Sequence, residues 1–277
     1  MAFRNYIAHK FNLYSPIDLK QFQTFIKRLN QIGTTEIELV GRRLTPIQRQ
    51  RTKDLTSIIH DEGMKVILYT GPFGKDNYKE YAQRDKNNNP LSLMCPSSKY
   101  IDNILLPELN NVLEFYDGLF LDMPWIMKGG CYCNNCDGDN EKNVRDGLKK
   151  IRNSINIRTS INAGAPTIHN EHPSAHIDNI KGIFDEYVTE WNPLRWNQKV
   201  SIIKEVIEYA KKATNKKIYH ATTCTDKQGK IYPLDVLTNL FTTIISAGAI
   251  PRLGIAFNNE GLNTIGKAME IAYSRSN

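Results

Sequence analysis

The strongest constraint on the fold is the alternation of short apolar runs with longer stretches of helical period along the 277 residues. The apolar runs have the length and composition of buried strands, and apolar residues recur every three to four positions between them. The predicted strands are Tyr6–Leu13, Thr35–Val40, Met64–Gly71, Gly118–Pro124, Ile155–Gly164, Asp185–Trp191, Lys216–Thr223 and Ala249–Phe257. The predicted helices are Ile17–Gln31, one after Pro46, Tyr100–Phe115, Glu141–Asn153, Ala175–Ile183, Arg195–Thr214, Pro233–Ala247 and Asn263–Tyr273. This order predicts a parallel sheet whose strands are joined by crossover helices.

Eight strands alternating with eight helices favour an α/β fold, a closed (β/α)8 TIM barrel, whose usual length of about 250 residues suits this chain. An open doubly wound sheet is the alternative. No G-x-G-x-x-G motif follows a predicted strand, which argues against a dinucleotide-binding sheet. No linker or low-complexity segment interrupts the pattern. We therefore expect one catalytic domain over residues 1–277.

Polar side chains at the ends of the predicted strands are the first candidates for function, because the chemistry of such barrels lies where strands end and the following loops begin. They are Glu38, Tyr69, Asp122, Asn162, Glu190, His220 and Arg252.

Three cysteines with the rare spacing C-x-C-x-x-C follow the fourth predicted strand. They are Cys131, Cys133 and Cys136, and Cys95 precedes the helix that leads into that strand. Two loops at one barrel end can bring four thiolates together, which predicts a closed structural zinc site. An iron–sulfur cluster, or thiols with no common ligand, are the alternatives. Cys224 stands apart, and we expect it to be an inert thiol.

The overall composition gives weaker indications. The formal net charge is +7, but the basic residues are dispersed, so nucleic-acid binding is not favoured. No apolar run is long enough for a membrane span, and the N-terminal segment lacks the apolar core of a signal peptide. A cytoplasmic protein without a membrane partner is therefore expected. The oligomeric state is left open.

The segments LMCPSSKY, DGLFLDMP and CYCNNC together resemble the TIM-barrel glycoside hydrolases, including uncharacterised glycosidases related to α-L-fucosidase and family 42 β-galactosidase barrels. In family 42, a four-cysteine zinc site of this layout follows the fourth strand, and a catalytic carboxylate ends that strand. The resemblance thus implies zinc bound by the four cysteines and a catalytic role for Asp122. The chain departs from family 42 in having Leu-Asp at this strand end and no acid on its seventh strand. An aspartate nucleophile on the fourth strand is instead similar to the α-fucosidase and α-galactosidase barrels, where the acid/base comes from a later strand.

Two carboxylates are the predicted catalytic pair. Asp122 ends an apolar strand, so its carboxylate would be partly desolvated and well oriented for a nucleophile, although a helix cap or a salt bridge is the alternative. Glu190 ends the sixth strand beside aromatic residues, which suits a general acid/base, although pairing with Arg195 is the alternative. Glu38 is the reserve candidate. The predicted reaction is hydrolysis of a glycosidic bond, with a retaining mechanism favoured over an inverting one.

Aromatic and polar residues near these acids suggest a carbohydrate substrate. All three tryptophans lie in the two loops that carry the acids, and indole faces pack well against sugar C–H groups. The predicted substrate-binding residues are Trp125, Trp191, Tyr69, Glu38, His9, Arg252, Asn258 and His220. Trp196 is more easily explained as core packing. His169, His172 and His176 form a loop cluster that is more easily explained as solvated histidines than as a metal or substrate site.

Two other functions remain open from the sequence. A non-catalytic carbohydrate-binding barrel would keep the fold without turnover. A sugar isomerase would need an open metal site of histidine and carboxylate ligands at the strand ends, and few such residues lie there.

Overall fold

The computed structural model describes residues 2–6, 17–74, 77–122, 124, 126, 130–136, 139–164, 173–196, 198–254 and 259–276. Eight parallel strands close into a barrel. In their order around the barrel, the strands are β1 Phe3–Tyr6, β2 Thr34–Val40, β3 Lys65–Thr70, β6 Gly118–Leu121, β7 Arg158–Asn162, β8 Glu186–Glu190, β9 Lys217–Thr222 and β10 Ile250–Gly254. The last strand, β10, pairs with β1 and closes the barrel. A separate antiparallel hairpin consists of β4 Ala82–Arg84 and β5 Pro90–Met94. The predicted (β/α)8 barrel is confirmed.

The α-helices of the described residues alternate with the barrel strands. They are α1 Leu19–Gln31, α2 Pro46–Asp61, α3 Leu106–Asn110, α4 Asn140–Asn153, α5 Ile177–Ile180, α6 Ser201–Thr214, α7 Leu234–Ser246 and α8 Asn259–Ser276. Local sequence explains several helix starts. At α2, Thr45 and Gln48 form a reciprocal capping box and Pro46 occupies the first turn. None of the described helices is long and apolar enough to cross a bilayer.

Some predicted boundaries differ from the structure. The predicted helix over 100–115 is a π-helical turn, Ile101–Leu105, followed by the short α3 and a 3₁₀ turn, Leu113–Phe115. Pro107 lies at the start of α3 and lacks an N–H, which prevents a continuous hydrogen-bond ladder. The predicted helix over 195–214 likewise divides into the 3₁₀ turn Pro193–Trp196 and α6. The first strand begins three residues earlier than predicted, and residues 7–13 of the predicted run lie outside the described part.

Strand alternation divides the barrel into two environments. Outward side chains such as Ile37, Leu39 and Leu119 are fully buried against the helices in the main apolar cluster. A smaller apolar cluster fills the middle of the barrel interior and contains Ile67, Phe120, Val188, Tyr219 and Ala221, with Tyr69 and Ile250 packed against it.

The amino-terminal end of the barrel interior is ionic. Arg4 is fully buried and binds Glu36 at 2.6 Å and Glu186 at 3.0 Å. Arg158 also binds both carboxylates, at 2.7 and 3.2 Å. The guanidinium of Arg4 lies 3.8 Å from the centre of the Tyr219 ring. Because each buried charge has an opposite partner, this network can close the lower end of the barrel without an isolated charge.

Candidate functional site

The barrel mouth, meaning the ring formed by the carboxyl ends of the barrel strands, brings the two predicted catalytic carboxylates together. Phe120 lies in the interior apolar cluster, and Asp122 follows it by two residues, so it continues the inward face of β6. Its backbone N–H donates to the Thr70 carbonyl at 2.9 Å, which prolongs the strand pairing to this residue. Glu190 ends β8 on the same inward face as Val188. Both acids are half-buried.

A single amide links the two carboxylates. The Asn162 side-chain nitrogen donates to Asp122 Oδ1 at 2.8 Å and to Glu190 Oε2 at 3.4 Å. These two oxygens are therefore at most about 6.2 Å apart. Asn162 is one of the polar residues predicted at strand ends, but no pattern in the sequence indicates this bridging position.

Asp122 receives a second hydrogen bond from the Tyr69 hydroxyl. Burial raises the pKa of Tyr69, and the charge of Asp122 and the hydrogen bond to it raise that pKa further. The phenol therefore remains protonated at any ordinary pH and acts as a constant donor. Two neutral donors thus orient one carboxylate.

Two side-chain amides contact Glu190. Besides Asn162, the side-chain nitrogen of Asn192 lies 3.5 Å from Glu190 Oε1. The Asn192 side-chain oxygen accepts from the Thr223 N–H at 2.7 Å, which directs the amide nitrogen toward Glu190. Sequence reasoning missed Asn192, and its position directly after the strand end is the one signal that could have indicated it.

Glu38 and Arg252, two predicted substrate-binding residues, bind each other in the floor of the mouth. Arg252 donates from Nε and Nη2 to the two oxygens of Glu38 at 2.8 and 2.6 Å. Glu38 is fully buried. Burial by itself would lower the pKa of Arg252. The negative charge of Glu38 and the hydrogen bonds with it outweigh this effect and raise the pKa. A buried carboxylate that already accepts a bidentate guanidinium is not placed to contact a sugar, so the structure corrects the prediction for Glu38.

Aromatic rings line one side of the mouth. The ring centres of Tyr6 and Tyr69 are 4.6 Å apart, and those of Tyr69 and Phe120 are 5.4 Å apart. Tyr6 is not among the predicted site residues. The predicted first strand begins at Tyr6, which would place this residue at the amino-terminal end of the barrel, whereas β1 ends at Tyr6. Its inward orientation follows from the three strand residues that precede it.

The remaining predicted contacts have different outcomes. His220 is fully buried and its Nδ1 lies 2.8 Å from the Thr189 hydroxyl. Its strand neighbours Tyr219 and Ala221 face the interior, so His220 faces the helices and is not part of the mouth. Trp191 is half-buried, and its backbone N–H donates to the Ala221 carbonyl at 3.3 Å. Trp125, His9 and Asn258 lie outside the described residues, as do His169 and His172 of the histidine cluster.

The four predicted metal ligands form a compact cluster. The ligand atoms of Cys95, Cys131, Cys133 and Cys136 all lie within 4.8 Å of one another. Cys95 Sγ is 3.4 Å from the sulfurs of both Cys133 and Cys136, which are 3.7 Å from each other. Four thiolates bound tetrahedrally at about 2.3 Å would have sulfurs about 3.8 Å apart. The donor set and spacing therefore fit a metal ion.

The cysteine cluster joins the loop after β6 to the β4–β5 hairpin. Cys95 follows β5, and its N–H donates to the Tyr81 carbonyl at 2.8 Å. The Tyr132 N–H donates to the Arg84 carbonyl at 2.9 Å. At Gly130, φ is +93°, and an added Cβ would lie 2.7 Å from the Asn140 amide nitrogen, so this turn requires glycine.

Comparison with known proteins gives matches at the level of structure alone. No protein-family model and no curated protein matches the chain. The structure is similar to α-L-fucosidase isoenzyme 2 from Paenibacillus thiaminolyticus, with a TM-score of 0.72 and 17% identity over 99% of this chain and 50% of that one. It is also similar to the endo-β-1,4-mannanase from Thermotoga petrophila, with a TM-score of 0.64 and 9% identity over 100% of this chain and 77% of that one.

The same barrel also supports a different chemistry. Dihydrodipicolinate synthase from Agrobacterium tumefaciens aligns with a TM-score of 0.53 and 9% identity, over 99% of this chain and 77% of that one. The chain spans only half the length of the fucosidase. At these identities the likeness establishes the fold and leaves the activity to the geometry of the site. The chain therefore has the (β/α)8 barrel that these two glycosidases and the synthase share, and this is the fold that its sequence predicted.

Proposed function

We propose that this protein is a glycoside hydrolase that retains anomeric configuration, with Asp122 as nucleophile and Glu190 as acid/base. The observation that carries the proposal is the Asn162 amide, which holds one oxygen of each carboxylate within hydrogen-bonding distance at the barrel mouth. Retaining glycosidases separate their carboxyl groups by about 5–5.5 Å, whereas inverting enzymes need about 6.5–9.5 Å to admit a water. The bridged oxygens are at most about 6.2 Å apart, which is compatible with the shorter spacing.

The hydrogen bonds also favour this division of roles. Asp122 accepts hydrogen bonds from Tyr69 and, at 2.8 Å, from Asn162, and both donors stabilise a negative carboxylate. Glu190 receives amide donors at 3.4 Å from Asn162 and at 3.5 Å from Asn192. In this division of roles, Glu190 carries the proton that the leaving group needs.

The reaction then proceeds in two displacements. In the first, Asp122 attacks the anomeric carbon while Glu190 donates its proton to the departing glycosidic oxygen, giving a glycosyl ester of Asp122 and an alcohol. In the second, the ionised Glu190 removes a proton from water, which attacks the same carbon and releases Asp122. The second displacement returns both carboxyl groups to their starting states, so water is the one other reactant.

The aromatic side of the mouth is proposed to bind the sugar. The rings of Tyr6 and Tyr69 provide apolar surface next to Asp122. Trp191 and Trp125, in the loops after Glu190 and Asp122, are proposed as further stacking surfaces, with His9 and Asn258 as hydroxyl partners. Arg252, whose side chain is 11% exposed, contributes at most one edge of its guanidinium.

We also propose that the four cysteines bind a structural zinc ion. Four thiolates complete a tetrahedral shell and leave no open position for substrate, so the ion would stabilise the loop after Asp122 without taking part in the chemistry. An iron–sulfur cluster is the alternative, and metal analysis together with visible absorption distinguishes the two.

The experiment that tests the proposed function is a screen of nitrophenyl glycosides, followed by a 2-deoxy-2-fluoro glycoside of the accepted sugar. Mass spectrometry of the peptic digest should find a covalent glycosyl adduct on Asp122. We expect Asp122→Asn to lower turnover by at least about 1,000-fold, because the nucleophile is lost. Exogenous azide should restore turnover to Glu190→Ala with an activated leaving group.

Asp146→Asn is a suitable control, because Asp146 lies on the outer helix α4, is 56% exposed and is 3.9 Å from Lys142. Wild-type turnover by Asp122→Asn would disprove the proposal. Saturable binding of an oligosaccharide without turnover would favour the non-catalytic carbohydrate-binding barrel instead.

A further inference from the structure

The ion pair in the floor of the mouth has no part in the proposed reaction. Two nitrogens of Arg252 are bound by the two oxygens of Glu38, residues 214 positions apart in the sequence. The side chain of Glu38 is inaccessible to solvent, and that of Arg252 is 11% exposed. Burying such a pair is costly unless its geometry is good, so its position raises the question of what it does.

Arg252 lies directly beneath Asp122. Its guanidinium carbon is 4.5 Å from the centre of the Phe120 ring, and Phe120 is the inward residue before Asp122 on the same face of β6. The same carbon is 5.8 Å from the centre of the Tyr69 ring, whose hydroxyl donates to Asp122. The guanidinium is therefore one layer below the carboxylate.

Asp122 nevertheless accepts from neutral donors. Within the described part of the chain, its side-chain hydrogen bonds come from Tyr69 and Asn162, and no cation there makes a salt bridge to it. A carboxylate in a bidentate pair with arginine would have its lone pairs occupied and would be a poorer nucleophile. Some feature must keep the nearby guanidinium away.

We propose that Glu38 is a positioning residue that holds Arg252 in the floor and so prevents a direct ion pair between Arg252 and Asp122. The inference deepens the proposed function, since it explains how Asp122 stays available for attack. The titratable and charged groups of the described residues around Asp122 are Tyr6 on β1, Glu38 on β2, Tyr69 on β3, Glu190 on β8 and Arg252 on β10. Two further arginines lie nearby: Arg42 donates to the Gly71 carbonyl beside Asp122 and binds Glu108 at 2.7 Å, and Arg4 lies 3.7 Å from Glu38. Arg252 is the cation that both oxygens of Glu38 hold.

The test follows the carboxyl carbon of Asp122 by NMR during a pH titration of protein labelled with [4-¹³C]aspartate, with Asp122→Asn to assign the signal. In Glu38→Gln, the neutral amide no longer holds the guanidinium, which should move to Asp122. We expect the titration midpoint to fall by about one pH unit or more, as for an aspartate that gains an arginine partner. Glu38→Asp keeps a carboxylate for Arg252 and should shift the midpoint by less than half as much.

Asp185→Asn is the matched control, because Asp185 likewise binds an arginine, Arg152 at 3.2 Å, but lies just before β8 at the opposite end of the barrel. It leaves the Glu38–Arg252 pair intact, so the midpoint should not move. A midpoint in Glu38→Gln that is unchanged or raised would show that Glu38 does not restrain Arg252.

The double variant Glu38→Gln/Arg252→Gln decides the question if the single variant does not fold. With no guanidinium to release, it should show no fall in the midpoint, and a fall there would contradict the proposal. The titration needs no substrate. A failed glycosidase assay together with the predicted midpoint shift would therefore reject the proposed function and leave this inference standing.

Discussion

At the scale of single residues, the site depends on the position of one amide and one phenol. Asn162 and Tyr69 both donate to Asp122, and Asn162 also reaches Glu190. Hydrogen bonds to a charged group contribute about 1.5–3 kcal/mol, more than those between neutral groups. Each donor therefore matters for the orientation and charge of the proposed nucleophile.

Removing the phenol should weaken catalysis without unfolding the protein. We expect Tyr69→Phe to lower kcat by about 10- to 100-fold, which corresponds to the loss of one hydrogen bond to a charged group. The measurement is steady-state kinetics on the accepted glycoside. Tyr209→Phe is the control, since Tyr209 likewise donates to an aspartate, Asp178, but on the outer helices. Equal effects of the two substitutions would argue against a role for Tyr69 at Asp122.

At the scale of elements, the cysteine cluster connects two loop segments that follow neighbouring barrel strands. The β4–β5 hairpin lies in the connection after β3, and the other three cysteines lie in the loop after β6. Hydrogen bonds from Cys136 and Cys95 lower the pKa of the Cys131 thiol, and the hydrogen bond with Cys131 raises the pKa of Cys95 and of Cys136. Several thiolates at this spacing repel one another unless a cation lies among them, so metal and loop structure should be coupled.

Loss of one cysteine should therefore remove the metal and loosen the loop after Asp122. We expect Cys131→Ser to reduce bound metal from one equivalent to less than about 0.2 and to lower the melting temperature, because structural zinc contributes folding free energy. Elemental analysis and calorimetry provide the measurements. Cys224→Ala is the control, since this buried thiol lies outside the cluster and its loss should leave the metal content unchanged. Full metal content in Cys131→Ser would show that the cluster is not the binding site.

At the scale of the whole molecule, the barrel interior has three layers. The ionic network of Arg4, Glu36, Glu186 and Arg158 closes the lower end, the small apolar cluster fills the middle, and the carboxylates occupy the mouth. Burial alone would raise the pKa of Glu36, but the charge of Arg4 and the hydrogen bond and charge of Arg158 lower it to about 2. The free energy of unfolding should thus depend on whether the Glu36 carboxylate is ionised.

The stability of the barrel should consequently depend on pH in the acid range. A carboxylate whose pKa is lowered from 4.5 to about 2 on folding stabilises the protein above pH 4.5, and that contribution is lost as the pH falls toward 2. Its size is about 3 kcal/mol. Urea unfolding of wild type and Glu36→Gln should therefore show a large difference at pH 7 that narrows between about pH 5 and 2.

Glu114→Gln is a suitable comparison, because Glu114 is 58% exposed and surface ion pairs contribute about 0–1 kcal/mol. If the free energies of unfolding of wild type and Glu36→Gln differ by the same amount at every pH, ionisation of Glu36 does not stabilise the fold.

The amino-acid sequence by itself determined the order of elements, the closed barrel, the grouping of Cys95 with the three later cysteines, and the placement of Asp122 and Glu190 at strand ends. These features follow from periodicity and from the rule that parallel strands end at one rim, both of which are local or topological. The tertiary structure alone decided that Arg252 binds Glu38, that Asn162 reaches both acids, and that His220 faces the helices. Those outcomes depend on strand register and barrel closure, which set the face and the distant neighbours of each residue, and no local pattern in the chain encodes them.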